Sequence, residues 1–379
     1  MRFPEIPLSV YLFILLFVLL FGVKKAEKGQ FFENFLDLDI SKGLQGFVAV
    51  AIMLHHLIQK ITNYGQINKG VVGIMNDVGV LLTGIFFFFS GYGLYTSFKN
   101  KENYLDGFLK KRLPTVLIPF YMTNTIFLLL SLILGYKMTT GEFFIYLSGF
   151  VLLNSQMWYI VEIIVLYLAF YLIFRFMKKQ KLAFPVMALF ILVMTVITLL
   201  RGHDMKYACG GAWFKGEWWY NSTWTFFAGM LIARYKEPVV LFAKKHYKAL
   251  LPVLTVLFLI MHAVTVYMLS HVGYWKEWDG YPGYKEKFLT WLVQGPTVII
   301  FVFTLLLLTM KVQFHNQIIK FLGKIAIELY LIHNIFILYL PYVIKNEFLY
   351  ILCVYVGGIL LATGIHSVDS LLIKKIRQK

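Results

Sequence analysis

Two adjacent histidines, His55 and His56, lie inside an apolar run, where ionisable side chains are costly and so mark function by default. A neutral imidazole there can act as a general base or carry a group covalently. Glu162, His262, Glu328 and His333 also fall within apolar runs, and His366 lies near the end of another. Trp158 and Glu162 are four residues apart, and Tyr330 and His333 three, so each pair shares a helix face. Glu162 is placed either to orient a histidine, as carboxylates do in hydrolytic triads, or to pair with a cation in the bundle. His333 reads as a second polar site, with packing as the plainer alternative. For the lone His262 and His366 a hydrogen bond between helices is the better reading.

Upstream of the pair the chain reads Ser41-Lys42-Gly43-Leu44-Gln45-Gly46. Gln45 is eleven residues from His56, about three helical turns, so the two share a face with Ala49 and Ile52. Lys42 lies within roughly 40° of that face, and His55 points about 100° away. One helix thus carries a cation and an amide at one end and an imidazole about 20 Å deeper.

The elements that must hold these residues are membrane helices. Of 379 residues, 59% are hydrophobic and 15% charged, against about 25% charged in soluble domains. Apolar runs that predict spans occur near 8–23, 43–60, 78–98, 114–135, 157–177, 183–200, 218–234, 249–270, 288–310, 321–340 and 348–370. The stretch 142–153 is too short to cross and reads as interfacial or re-entrant. The fold class expected is all-α and polytopic: a ten-helix core at 38–379, preceded over 1–37 by one additional helix and a linker. That first helix reads as retained, because its lysines follow it and no small-x-small cleavage site is present.

There are 36 lysines and arginines against 19 acids, a net charge of +17. In a soluble chain that would suggest nucleic acid. Here the basic residues gather in the connections 24–42, 99–112, 175–181, 234–248 and 311–324 and in the tail, all of one parity. Positive-inside then makes that face cytoplasmic, with the N-terminus outside and the C-terminus inside, and no nucleic acid is expected. Trp213, Trp218, Trp219, Trp275 and Trp278 form an aromatic belt on the opposite face. Cys209 and Cys353 are too few and too far apart for a disulfide framework or a metal site, and no metal is expected.

Taken in order, five segments resemble the acyltransferase-3 family of integral membrane acyltransferases. GLQGFVAVAIMLHH at 43–56 matches the spacing of that family's arginine and histidine, which are separated by ten residues, with His56 at the histidine position. FFFFSGYGLYTS at 86–97, FLKKRLPTVLIPFY at 108–121, the stretch from Asn154 through Trp158-Tyr159 and FLGKIAIELYLIHN at 321–334 resemble further family segments. The chain departs at Gln45, which replaces the arginine, at Thr115, where a second loop arginine is often found, and at Ala326, where serine is common. Lys42 is placed to substitute as a point charge, without a guanidinium's bidentate fork.

The resemblance implies transfer of an acyl group, acetyl from acetyl-CoA above all, from a cytosolic acyl-CoA to a hydroxyl of a cell-surface polysaccharide or wall polymer. His56 is then general base or transient acyl carrier, with Glu162 and His333 as further catalytic candidates. Lys42, Gln45, Lys111 and Arg112 would hold the donor, with Lys110 beside them, and the expected partners are acyl-CoA, a glycan acceptor and plasma-membrane lipids. Ser90-Gly91 reads as a point of close helix approach. The alternative is a transporter or flippase of a glycan-linked lipid that uses the buried histidines as a proton relay.

Overall fold

The computed structural model describes residues 8–62, 75, 77–177, 179–201, 218–273, 283–314 and 316–378. They form an all-α polytopic membrane protein. The helices that matter for the site are α1 (Leu8–Leu20), α2 (Leu38–Thr62), α3 (Gly79–Asn100), α4 (Phe108–Arg112) and α5 (Pro114–Ile133). They continue with α6 (Thr140–Ser148), α7 (Trp158–Phe176), α8 (Gln180–Arg201), α9 (Trp218–Asn221), α10 (Trp224–Arg234) and α11 (Lys236–His271). The last four are α12 (Tyr284–Thr309), α13 (Gln317–Lys324), α14 (Ala326–Tyr339) and α15 (Glu347–Gln378).

Each apolar run found in the sequence meets a helix, but fewer helices cross at full length. Among the described residues eight helices are long and apolar enough to span, and α13 with α14 makes a ninth if that bent pair counts as one. The expected span at 8–23 is a helix of 13 residues, about 20 Å long against a core of about 30 Å. The expected span at 218–234 is broken: Ser222 and Thr223 separate α9 from an α10 of 11 residues. Their hydroxyls are buried and bonded to other helices, which a continuous apolar helix would not require. The basic connection 234–248 is itself almost wholly helical, from Arg234 at the end of α10 to Lys236 and the first turns of α11. The stretch read as interfacial is α6, nine residues opened by a Thr139–Glu142 capping box and closed by Gly149 with φ +74°. Those Thr139 hydrogen bonds hold the exposed Glu142 carboxyl below its usual range.

Glycine contacts bring the central helices together, as small residues do in membranes. A Cβ on Gly46 would lie 2.2 Å from the backbone nitrogen of Gly323, so α2 and α13 cross in backbone contact. A Cβ on Gly91 would lie 2.0 Å from the carbonyl oxygen of Phe226, and one on Gly229 2.2 Å from that of Phe88. The short α10 is therefore seated directly on α3, as the Ser90-Gly91 reading expects. The most apolar stretch of α2 is 78% buried, whereas that of α11 is 6% buried. The first helix is core and the second faces lipid.

The basic connections touch one another. Lys24 and Lys25 pair with Gln313 and Val312 in a two-stranded antiparallel ladder. Asn316 donates from its amide to the carbonyls of Val18 and Phe21, both at 2.9 Å, and so ties α1 to the same place. Lys244 pairs with Glu33, Arg175 with Asp106, and Arg377 donates to the Lys111 carbonyl at 3.0 Å. One end of the bundle is thus basic. Of the aromatic belt, Trp213, Trp275 and Trp278 lie outside the described residues, as do Cys209, Lys178 and the side chains of Trp218 and Trp219.

Candidate active site

The parallel course of α2 and α14 builds the site. Gly46 and Gly323 fix their crossing at the basic end, and an 82° bend at Ile325 then turns α14 alongside α2. The backbone at such a break is tolerated because it is enclosed by protein, and Ile325 is buried. The result is that the rings of His56 and His333 stack, centroids 5.4 Å apart and planes 12° from parallel.

Hydrogen bonds assign the protons. Met75 offers His55 Nδ1 a carbonyl at 2.6 Å, which only accepts, so that nitrogen donates and Nε2 holds the lone pair. Gln59 donates from Nε2 to His55 Nε2 at 3.1 Å, which leaves Gln59 Oε1 to accept from His56 Nδ1 at 3.1 Å. In the neutral ring the lone pair of His56 is therefore on Nε2. The same holds for His333, whose Nδ1 donates to the Leu329 carbonyl at 3.1 Å and whose buried Nε2 has no partner among the described residues. Two imidazoles with basic Nε2 atoms stand side by side.

Aromatic rings continue from the pair into the bundle. Tyr330 is 6.2 Å from His333 and Tyr159 is 5.6 Å from Tyr330, with Phe86 and Phe87 against Tyr159. Ser90 Oγ lies 3.4 Å from the Tyr159 hydroxyl and 3.3 Å from that of Tyr167. Asn154 caps the turn before α7 by accepting from Gln156 N, and it also accepts from the Asn334 amide at 2.8 Å. The two segments around Trp158 and His333 are thereby joined.

Glu162 is buried at this wall but is bonded to the Thr223 hydroxyl, not to a histidine or a cation among the described residues. Its second oxygen has no partner among the described residues. His366 does make the interhelical hydrogen bond expected of it, to Glu328 at 2.9 Å, whereas His262 stacks on Phe258 of its own helix.

The proposed donor residues separate from the pair toward the basic end. Gln45 is half-buried on the His56 face of α2, and Lys42 is exposed within electrostatic reach of His366. Lys110 and Lys111 are exposed on α4. Arg112 is half-buried, donates from Nε to the Tyr104 hydroxyl at 2.9 Å, and keeps its two terminal nitrogens without a hydrogen bond among the described residues. Thr115, at the position of the second loop arginine, donates to the Arg112 carbonyl at 2.6 Å. Beyond His333, toward the other end, a cavity of about 900 Å³ is lined by residues that include Ser131, Tyr136, Phe336, Tyr339 and Tyr342. Tyr339 is six residues past His333 on α14, or about 9 Å.

Gln59 escapes the reading of the sequence, although its i+3 and i+4 spacing to the histidine pair is a legible signal. Thr223 offers none, because it is 61 residues from Glu162. No curated protein and no solved structure matches the chain. The family model described as an acyltransferase domain matches residues 35–367, nearly the whole chain, and the protein belongs to that acyltransferase-3 family of membrane acyltransferases.

Proposed function

We propose that this membrane acyltransferase moves an acetyl group from cytosolic acetyl-CoA to a hydroxyl of a cell-surface polysaccharide or wall polymer. The observation that carries the reading is the stacked His56–His333 pair, with two Nε2 lone pairs between a basic end and a cavity on the far side. His56 Nε2 accepts the proton of the acceptor hydroxyl as its oxygen attacks the thioester carbonyl. The C–S bond breaks, and the thiolate takes the proton back from the imidazolium. The products are the ester and free CoA thiol.

In this reading the basic end faces the cytoplasm of a cell with the protein in its plasma membrane, as positive-inside requires. Arg112 holds a CoA phosphate through its terminal nitrogens, with Lys110 and Lys111 as exposed support. Lys42 and Gln45 line the approach of the pantetheine arm along α2, and the cavity beside Tyr339 receives the acceptor from the other side. His333 supports His56 by offering a second basic nitrogen. Glu162 acts at one remove, by fixing α10 through Thr223 rather than by touching a histidine.

The test is acceptor-dependent release of free thiol from acetyl-CoA by purified protein in detergent or nanodiscs. Release that rises on addition of surface polysaccharide supports the reading. Glycan-lipid movement across the bilayer with no thiol release would replace it with transport.

A further inference from the structure

Away from the histidine pair, three ionisable side chains from two helices meet at the basic end. Glu328 lies in the first turn of α14, directly after the bend, and His366 and Asp369 share one face of α15 at i, i+3 spacing. His366 Nδ1 is 2.9 Å from Glu328 Oε1 and 3.8 Å from Asp369 Oδ1, and one donor atom from each residue lies within 4.8 Å of the other two.

Both carboxylates are out of solvent, Glu328 at 5% and Asp369 at 1% exposure. Among the described residues, Glu328 Oε2 and both oxygens of Asp369 have no hydrogen-bond partner. No lysine or arginine forms an ion pair with either carboxylate among the described residues. A protonated His366 would neutralise one of them, and two buried carboxylates facing each other with one compensating charge are unfavourable.

We propose that Glu328, His366 and Asp369 form a binding site for one divalent metal ion of the Zn²⁺ type, which clamps α14 to α15. Ligands bonded at about 2.1 Å are about 3.0 Å apart in octahedral and about 3.4 Å apart in tetrahedral geometry, so the 2.9 Å from His366 to Glu328 already suits such an ion and Asp369, at 3.8 Å, has to close by a few tenths of an ångström. One imidazole with two carboxylates favours Zn²⁺ or Mn²⁺ over Ca²⁺ and Mg²⁺, which take oxygen ligands. A charge of +2 balances the two carboxylates with His366 neutral. On metal binding His366 Nδ1 gives up its hydrogen bond to Glu328 and ligates, and the ring proton resides on Nε2. The clamp fixes the helix that carries His333 just after its bend. No sequence signal points to it, since 38 residues separate Glu328 from His366.

The test uses the full chain, purified through a tag that binds no metal, dialysed against ZnCl₂ and then against metal-free buffer. About one Zn²⁺ per chain is expected by elemental analysis, and EDTA should lower the melting temperature reversibly. Asp369→Asn should bind Zn²⁺ at least about tenfold more weakly, with a melting temperature that EDTA does not move. Wild-type protein that retains no Zn²⁺ and melts identically with EDTA overturns the proposal. So does Asp369→Asn protein that retains Zn²⁺ at the wild-type level, which would mark an ion bound elsewhere. If Asp369→Asn fails to fold, Co²⁺ added to wild-type protein decides: visible d–d bands abolished by excess Zn²⁺ support the site, and their absence overturns it.

Discussion

The amide of Asn334 donates to Asn154 Oδ1 at 2.8 Å, with both side chains buried. This bond locks the helix bearing His333 onto the turn that opens the Trp158 helix. Asn334→Leu leaves the Asn154 oxygen with Gln156 N as its remaining donor, at a cost of about 0.5–1.5 kcal/mol. A lower melting temperature in detergent and slower acyl transfer are expected. An unchanged melt would show that the bond does not hold the two helices together.

The polytopic helical fold is legible in the sequence because each span carries its own signal, an apolar run of sufficient length. His56 and His333 are legible as separate candidates for a related reason: an ionisable residue stands out in such a run. Their stacking is not legible, since it depends on the bend at Ile325 and on the backbone contact of Gly46 with Gly323. Nor is the break at Ser222–Thr223, where an apolar run hides two buried hydroxyls bonded elsewhere. Glu162 shows the limit most clearly. Its place on the Trp158 face suggests a histidine or a cation as partner, and a threonine at the break between α9 and α10 takes that place.

Gln59 fixes which nitrogen of His56 is basic, through its Oε1 at 3.1 Å from His56 Nδ1. Gln59→Leu should lower kcat about tenfold, the equivalent of about 1.4 kcal/mol, with the protein still folded. Steady-state kinetics with acyl-CoA check this. Wild-type kcat in the variant would mean that the amide does not orient the ring.

Arg112 has terminal nitrogens without a hydrogen bond among the described residues at the basic end, whereas Lys110 is an exposed lysine among several. Arg112→Gln should raise the KM for acyl-CoA about tenfold, as expected for loss of a charge-assisted contact worth roughly 1.5 kcal/mol, and Lys110→Gln should change it far less. Equal effects of the two substitutions would reduce the cluster to a diffuse basic surface.

Gly46→Ala places a Cβ 2.2 Å from the Gly323 backbone, which cannot move aside without separating α2 from α13. A methyl added at Gly93 or Gly141 would meet nothing within 4 Å among the described residues, so alanine there should leave packing intact. Fluorescence-detected size exclusion should show loss of the monodisperse peak for Gly46→Ala alone. A wild-type profile for that variant would contradict the crossing on which the histidine stack depends.

The central claim is that His56 is the base that accepts the acceptor's hydroxyl proton. Membranes carrying equal amounts of wild-type or His56→Ala protein are incubated with labelled acetyl-CoA, and label is counted in the surface glycan. Transfer should fall by about 10²- to 10⁴-fold in the variant, the usual loss on removal of a general base. Label incorporated at the wild-type rate without His56 would contradict the account.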